Sequence, residues 1–342
     1  MSDNNNTSPR ILIFGAGSVG CYVGGRLLSA SADVVMVGRE RMAATLRDHP
    51  LVVTDYEGFR HETRLAPERY QTEPQAAAEA DLVLVTVKSQ ATIDAARQLA
   101  PHLKPGTPVI SLQNGISNAE RLREQLPESR VLAGMIPFNV LQKAPGHFHH
   151  GTEGHLMAEG DPSLAPALPW FEQAGLALEQ RDDMHSVLWS KLLLNLNNPI
   201  NALSGKPLLE ELSTRDYRRC LAMAQAETLQ LLRRAGIPTV RLTPLPMALI
   251  PPLMKAPDWL FTRLSGTMLA IDPIARSSMW EDLEVGRRTE VDWINGEVVR
   301  LAEQLGTTAP VNARLTELVH DCEQQRREWP AEALLMALKQ AR

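Results

Sequence analysis

Three groupings of side chains in this sequence have types and spacings suited to chemistry. Gly15, Ala16, Gly17, Ser18, Val19 and Gly20 form a G-x-G-x-x-G run. Its first glycine permits a tight turn, its second lets a pyrophosphate reach the backbone, and its third lets a following helix pack on the preceding strand. The N–H groups opening that helix then face the phosphates, so the chemistry would be that of a bound dinucleotide. In the second grouping, HSVLWSKLLLNLNNPINALS, Lys191 and Asn195 stand at i and i+4 and Asn198 continues their face at i+7. A lysine among leucines is costly if buried without purpose. The same pattern also reads as a solvated polar stripe whose leucines face a core. The third grouping is Ser278 and Glu290. Ser278 with Glu281 fits a capping box opening a long helix to about Leu305. That helix would carry Glu290, with Arg287 at i−3 as a surface partner.

These residues need elements to hold them. Residues 11–14 are an apolar run of strand length, and Tyr22, Val23, Leu27 and Leu28 continue at helical spacing after Gly20. This is the strand–turn–helix context that the fingerprint requires. A second strand, residues 33–37, ends in Gly38-Arg39-Glu40. NAD-binding versions of the fold place an acidic residue near this point for the ribose hydroxyl; here an arginine is offered, and its guanidinium suits the 2′-phosphate of NADP. Arg39 also reads as one more surface charge beside Glu40 and Arg41. Residues 51–70 suggest a small strand and loop region with a turn at Tyr56-Glu57-Gly58. Residues 81–87 read as a buried parallel strand that delivers Lys88. A helix over 91–103 follows, then a strand over 108–112 ending in Gln113-Asn114-Gly115, then a strand over 131–135. Such alternation implies a parallel, doubly wound sheet, with ligands outside the carboxyl ends of its strands. Gly15, Arg39, Lys88 and Asn114 all fall at such ends.

Further on, His147, His149, His150 and His155 stand among glycines. No helical i,i+4 pair or carboxylate accompanies them, so a polar strand edge is expected and no metal site. Residues 162–175 suggest one helix and 176–179 a last strand. After Asp182-Asp183 the pattern is helical. Two domains are therefore expected: 1–182, an α/β Rossmann-type dinucleotide-binding domain, and 183–342, an all-α domain. Pro199 should kink or break the helix that carries Lys191. Residues 217–235 read as an amphipathic helix closed by Gly236. The Pro- and Met-rich stretch 243–273 reads as a lid, an oligomer contact or a loop packed on the core.

Composition narrows the function classes. The net charge of -5 does not suggest nucleic-acid affinity. No stretch reads as a membrane span, and residues 1–9 read as a loose tail without the regions of a signal peptide. Cys21, Cys220 and Cys322 fit neither a disulfide framework nor a zinc motif, which suggests a reducing, cytoplasmic setting.

Five stretches together resemble the ketopantoate reductase (2-dehydropantoate 2-reductase) family: GAGSVG from Gly15, TVKSQ around Lys88, QNG around Asn114, WSKLLLN around Lys191, and SSMWEDLEVGRRTEVDWING from Ser277. They occur in the family's order across most of the chain. The resemblance implies an NADPH-binding Rossmann domain, a helical domain and a site in the cleft between them. It implies that Lys191 is the catalytic acid and Glu290 an active-site glutamate. Asn114, Asn195, Asn198 and Ser278 then hold substrate. With the residues read above, the cofactor set is Gly15, Ala16, Gly17, Ser18, Val19, Gly20, Arg39, Lys88, Asn114 and Glu290. The implied function is NADPH-dependent reduction of ketopantoate to pantoate, as in pantothenate and coenzyme A biosynthesis. The expected partner is a small 2-keto acid, with a homodimer as an open option and no nucleic-acid or membrane partner. The alternatives are a reductase of another 2-keto acid and a non-catalytic NADPH-sensing module, which would need only the first domain. The chain departs from the family where Leu208 takes the place of a substrate-contact asparagine. Its Asn198-Pro199 step also lies one residue nearer the lysine.

Overall fold

Uninterrupted apolar runs such as ILIF, VVMV and LVLV are strands covered on both faces, and all their residues are buried. The structure, a computed structural model, describes residues 8–151, 154–264 and 275–341. Most of the expected N-terminal tail and the end of the Pro- and Met-rich stretch, residues 265–273, lie outside the described residues. The chain divides into two units, Met1–Met184 and His185–Arg342.

The strands of the first unit are β1 (Ile11–Phe14), β2 (Val34–Val37), β3 (Leu51–Asp55), β4 (Arg60–Thr63), β5 (Tyr70–Gln71), β6 (Leu82–Val85), β7 (Pro108–Ser111), β8 (Arg130–Met135), β9 (Val140–Ala144), β10 (His147–His150), β11 (Leu156–Glu159) and β12 (Leu178–Arg181). Its helices are α1 (Ser18–Ser29), α2 (Glu40–Asp48), α3 (Thr92–Leu99), α4 (Asn118–Gln125) and α5 (Leu168–Gln173). The main sheet has the order β12-β11-β8-β7-β6-β1-β2-β5. Neighbours are parallel except β8 and β11. From β1 the chain builds outward through β2 and β5, then returns to add β6, β7 and β8 on the other side. The topological switch point therefore lies between β1 and β6, where this class of sheet binds ligands.

Residues 51–70 and 138–161 do more than form a sheet edge. β3 and β10 pair in parallel at the centre of a second sheet, β4-β3-β10-β9. The helix α1 lies against both sheets. A Cβ on Gly24 would sit 2.8 Å from the Met36 sulfur on β2, and one on Gly25 would sit 2.6 Å from Val53 on β3. A polar seam accompanies these contacts. Arg26 pairs with Asp55 at 2.8 Å, donates to the Ala174 carbonyl at 2.8 Å and lies 3.8 Å over the Phe59 ring. Of the histidines, His147 and His149 both meet Thr54 Oγ1, at 2.9 and 2.8 Å, while His150 meets the Tyr22 hydroxyl at 3.1 Å. Among the described residues no group of three His, Cys, Asp or Glu is arranged to hold a metal ion.

The second unit is helical: α6 (Met184–Asn195, which begins at the last residue of the first unit), α7 (Asn198–Ser204), α8 (Leu208–Ser213), α9 (Arg215–Arg234), α10 (Ile250–Lys255), α11 (Asp258–Leu264), α12 (Ser278–Glu284), α13 (Asn295–Gln304), α14 (Pro310–Gln324) and α15 (Ala331–Gln340). The central helix is α9, against which α10, α13, α14 and α15 pack. Of the Pro- and Met-rich stretch, Met247, Ile250, Leu253, Met254 and Phe261 are buried, so its described part is packed on the core. No helix among the described residues is long and apolar enough to cross a membrane.

The expected long helix from Ser278 to about Leu305 is broken. Gly286 adopts a left-handed φ of 65°, donates to the Leu283 carbonyl, and is followed by an Arg287 N–H that donates to Asp282. This is a Schellman closure. Glu290 lies beyond it, before a single 3-10 turn (Val291–Trp293), and not on a helix. The N-cap is also displaced from Ser278. Ser277 accepts from the Trp280 N–H at 3.1 Å, and its own N–H is held by Asn201 Oδ1 at 2.9 Å. That second bond fixes Ser277 as the residue outside the helix. Arg287 lies 4.0 Å from the Asp282 carboxylate.

Candidate active site

The fingerprint glycines divide by what surrounds them. Gly15 has a φ of 106°, and a Cβ there would lie 2.5 Å from the Val87 backbone nitrogen. A Cβ on Gly20 would lie 2.7 Å from Thr86 Oγ1 and 2.9 Å from Ile13. Both glycines press the loop onto the switch point. Gly17 is exposed, and a Cβ there would meet only the Gly15 carbonyl, at 3.9 Å. No side chain caps α1 at this N-cap position. The loop thus offers an open backbone face and uncapped N–H groups, which fits a dinucleotide pyrophosphate. Ala16 is held by the Tyr70 hydroxyl, which donates to its carbonyl at 3.2 Å, and Ser18 and Val19 open the helix.

Lys88 and Asn114 follow β6 and β7, and buried polar groups tie their loops together. Ser89 Oγ donates to the Asn114 carbonyl at 2.9 Å, and Gln113 Nε2 donates to the Val87 carbonyl at 3.1 Å and to Thr92 Oγ1 at 2.8 Å. Asn118 Nδ2 donates to Ser89 Oγ at 3.1 Å. Ser89, Thr92, Gln113 and Asn118 were not among the candidates, although Ser89 and Gln113 lie within the TVKSQ and QNG motifs. Arg39 is exposed and opens α2 directly after β2 and Gly38. The structure thus gathers Gly15–Gly20, Lys88 and Asn114 around the switch point, with Arg39 at the next strand end.

In the second unit, Lys191 and Asn195 lie on α6 and are both partly buried. Burial pulls the Lys191 ammonium down to about 8. The expected break is present: α6 stops at Asn195 and α7 restarts at Asn198 with Pro199 in its first turn. Asn198 and Ser278 are brought together by Ser277, whose Oγ donates to the Asn198 carbonyl at 3.3 Å. The Ser278 side chain is exposed at the first position of α12. Leu208 belongs to the same neighbourhood, since its N–H donates to the Ala275 carbonyl at 2.9 Å.

Glu290 is partly buried on a turn clamped to α14 from both sides. Glu323 Oε1 accepts from the Thr289 N–H at 2.7 Å and from its hydroxyl at 2.8 Å. His320 sits between Asp292 at 3.0 Å and Glu323 at 3.1 Å.

Two models of one family match the chain, "Ketopantoate reductase PanE/ApbA" over residues 11–159 and its C-terminal counterpart over residues 183–323. The chain belongs to the ketopantoate reductase family. It is 28% identical over 317 residues to the 2-dehydropantoate 2-reductase of Halobacterium salinarum, covering 91% of this chain and 97% of that one. A crystal structure of a ketopantoate reductase from Ralstonia eutropha superimposes with a TM-score of 0.79 at 29% identity, covering 93% of this chain and 99% of the other. A D-mandelate dehydrogenase solved with NADH has a TM-score of 0.74 at 20% identity, over 93% of this chain and 99% of the other, and shows the shared fold. Ketopantoate reductases are NAD(P)-dependent oxidoreductases, and this chain is an oxidoreductase of that family.

The turn that carries Glu290 is braced by an ion pair with a definite pH window. Burial works against the imidazolium of His320, but the bonds to Glu323 and Asp292 outweigh it and raise its pKa. Burial likewise works against the Glu323 carboxylate, but the Thr289 and His320 bonds outweigh it and lower its pKa. The histidine's contribution is full below its unfolded pKa of 6.5 and is lost as pH rises through the folded value. The glutamate's is present above 4.5 and is lost as pH falls through its folded value. The clamp therefore stabilises most between those limits. His320→Gln should lower the melting temperature by about 1–3 °C near pH 5.5, and by less near pH 8, for a partly exposed pair of this kind. An equal deficit at both pH values would show that the ion pair contributes nothing.

Proposed function

We propose that this chain uses NADPH to reduce a 2-keto acid to the 2-hydroxy acid, with ketopantoate as the first substrate to test and pantothenate synthesis as the setting. The observation that carries the proposal is Lys191, a partly buried ammonium brought to about 8 beside asparagines, in a chain that also has an open dinucleotide loop. The Gly15–Gly20 backbone would hold the pyrophosphate, Arg39 the 2′-phosphate, and Lys88 and Asn114 the neighbouring parts of the cofactor. When bound, the cofactor supplies the hydride that the keto carbon receives. Lys191 stabilises the negative charge growing on the carbonyl oxygen and delivers the proton. A pKa near neutrality keeps enough of the ammonium form while easing its deprotonation. Asn195, Asn198 and Ser278 hold the carboxylate and hydroxyl, because an amide both donates and accepts. Glu290 orients Lys191 or the substrate hydroxyl.

Leu208 favours a second reading, a 2-keto acid without the terminal hydroxyl, since an apolar residue stands where its backbone joins the chain at Ala275, just before Ser277. The deciding assay follows NADPH absorbance with ketopantoate and with 2-keto-3,3-dimethylbutyrate. Higher kcat/KM for ketopantoate supports the first reading, and preference for the deoxy compound selects the second. Activity with no 2-keto acid overturns both. Arg39→Ala should weaken NADPH binding about 10–100-fold and leave NADH binding nearly unchanged, the scale of one charge-assisted contact. Equal effects on the two cofactors would leave Arg39 a loop residue.

A further inference from the structure

Glu211, on α8, is fully buried, and its described donors are neutral amides. Its Oε2 accepts from Asn197 Nδ2 at 3.1 Å and from Asn201 Nδ2 at 3.0 Å. Among the described residues its Oε1 is buried without a hydrogen-bond partner, and so is Asn197 Oδ1. Buried polar atoms are rarely left unpaired. Two orphaned acceptors on groups already joined by one bond are what a cyclic acid–amide pair shows when its carboxyl is drawn without a proton. A proton on the Glu211 carboxyl would supply the donor that both atoms lack.

Asn201 relays this arrangement. While Nδ2 binds Glu211 and the Lys206 carbonyl, Oδ1 holds the Ser277 N–H at 2.9 Å. Ser277 in turn donates to the Asn198 carbonyl and caps α12 through the Trp280 N–H. Asn197 lies with Leu196 in the break between α6, which carries Lys191, and α7, which begins at Asn198. One side chain therefore braces the break and the turn that presents Ser278.

We propose that Glu211 is a positioning residue acting as a neutral carboxylic acid, its Oε1 proton shared with Asn197 Oδ1, so that Asn198 and Ser278 are held in register for the keto acid. The assignment rests on the reading of Asn198 and Ser278 as substrate-side groups. Burial agrees with it: the carboxyl is pushed up to about 8, although the two amides draw it down in part. Facing α8 from α9 are Tyr217 and Cys220, both pushed up to about 12 by burial, and Arg218, which donates to the Leu212 and Ser213 carbonyls and pairs with Asp258. On α8 itself, Glu210 pairs with Lys206, which precedes the helix. The α7 segment contributes no titratable side chain.

Glu211→Gln preserves both halves of the pair, because its amide accepts at one atom and donates at the other. Its kcat and KM should stay within about threefold of the parent. Glu211→Ala leaves buried amide donors unmet and should lower kcat/KM for the keto acid about 5–150-fold with NADPH affinity unchanged. Three readouts do not need activity. Infrared spectra of the parent should contain a carboxylic-acid carbonyl band that Glu211→Gln removes. Amide exchange at Ser277 should be slow in the parent and in Glu211→Gln and fast in Glu211→Ala. Stability of the parent relative to Glu211→Gln should fall from pH 4.5, the unfolded value, to about pH 8, the folded value. Lys191 titrates alike in both proteins and cancels from that difference. A Gln variant as impaired as the Ala variant, an absent acid band, or unchanged Ser277 exchange in Glu211→Ala would each overturn the proposal. If the parent reduces no keto acid, the reading of function fails, and the infrared and exchange measurements still decide the role of Glu211.

Discussion

Replacing Lys191 by Ala should lower kcat for keto-acid reduction about a thousandfold, the range lost with a general acid or a single oxyanion donor. The dissociation constant for NADPH should hardly change, because Lys191 belongs to the helical unit and not to the fingerprint loop. A loss that appears in kcat and kcat/KM together marks an interaction made in the transition state; a rise in KM alone would make Lys191 a binding residue. The parent enzyme carries its own control. A proton donor must be protonated, so the rate should fall as pH rises through the Lys191 value of about 8. The variant's residual activity should lack that alkaline limb. The substitution should not unfold the chain, since holding an ammonium in a partly buried helix costs stability rather than adding it. Turnover in Lys191→Ala at the parent rate would remove the lysine from the mechanism.

The strands and helices around the fingerprint were legible because their signals are local. Residues 11–14 can only be a covered strand, and G-x-G-x-x-G fixes the turn that follows. The second sheet was not legible, because it depends on β3 pairing with β10 across a wide sequence separation. Gly24 and Gly25, which let α1 lie against both sheets, looked like ordinary small residues. In the helical unit Pro199 announced its break, since a proline removes a donor. Gly286 is hidden because EDLEVGRRTE keeps a helical polarity pattern through it; a glycine followed by two arginines is the available stop signal. The N-cap differs by one residue from the pattern for a related reason. Ser277 and Ser278 are equivalent in pattern, and only Asn201, from another helix, distinguishes them. Glu211 could not be found from pattern at all. In LLEELS it looks like either of two surface glutamates until the fold buries one of them.

Replacing Gly17 by Ala should separate ligand binding from folding at the fingerprint. The added methyl group would meet only the Gly15 carbonyl, at 3.9 Å, which is ordinary van der Waals contact. The backbone at this position is extended, with φ −86° and ψ −154°, a conformation open to alanine. The free protein should therefore melt within about 1–2 °C of the parent, as surface substitutions without a specific mechanism do. The same methyl group occupies the open face on which a pyrophosphate would lie, so NADPH affinity should drop about a hundredfold once the close backbone approach is blocked. Gly15→Ala is the contrasting case. Its φ of 106° disfavours any side chain, and its Cβ would lie 2.5 Å from the Val87 backbone nitrogen. That variant should lose stability and binding together, because the loop must move off the end of β6 to relieve the contact. Melting curves and NADPH titrations on the two variants give the comparison. A Gly17→Ala protein that binds NADPH normally would place the pyrophosphate away from this loop, whatever the glycine spacing suggests. A Gly17→Ala protein that melts far below the parent would instead make Gly17 a packing residue like its two neighbours in the motif.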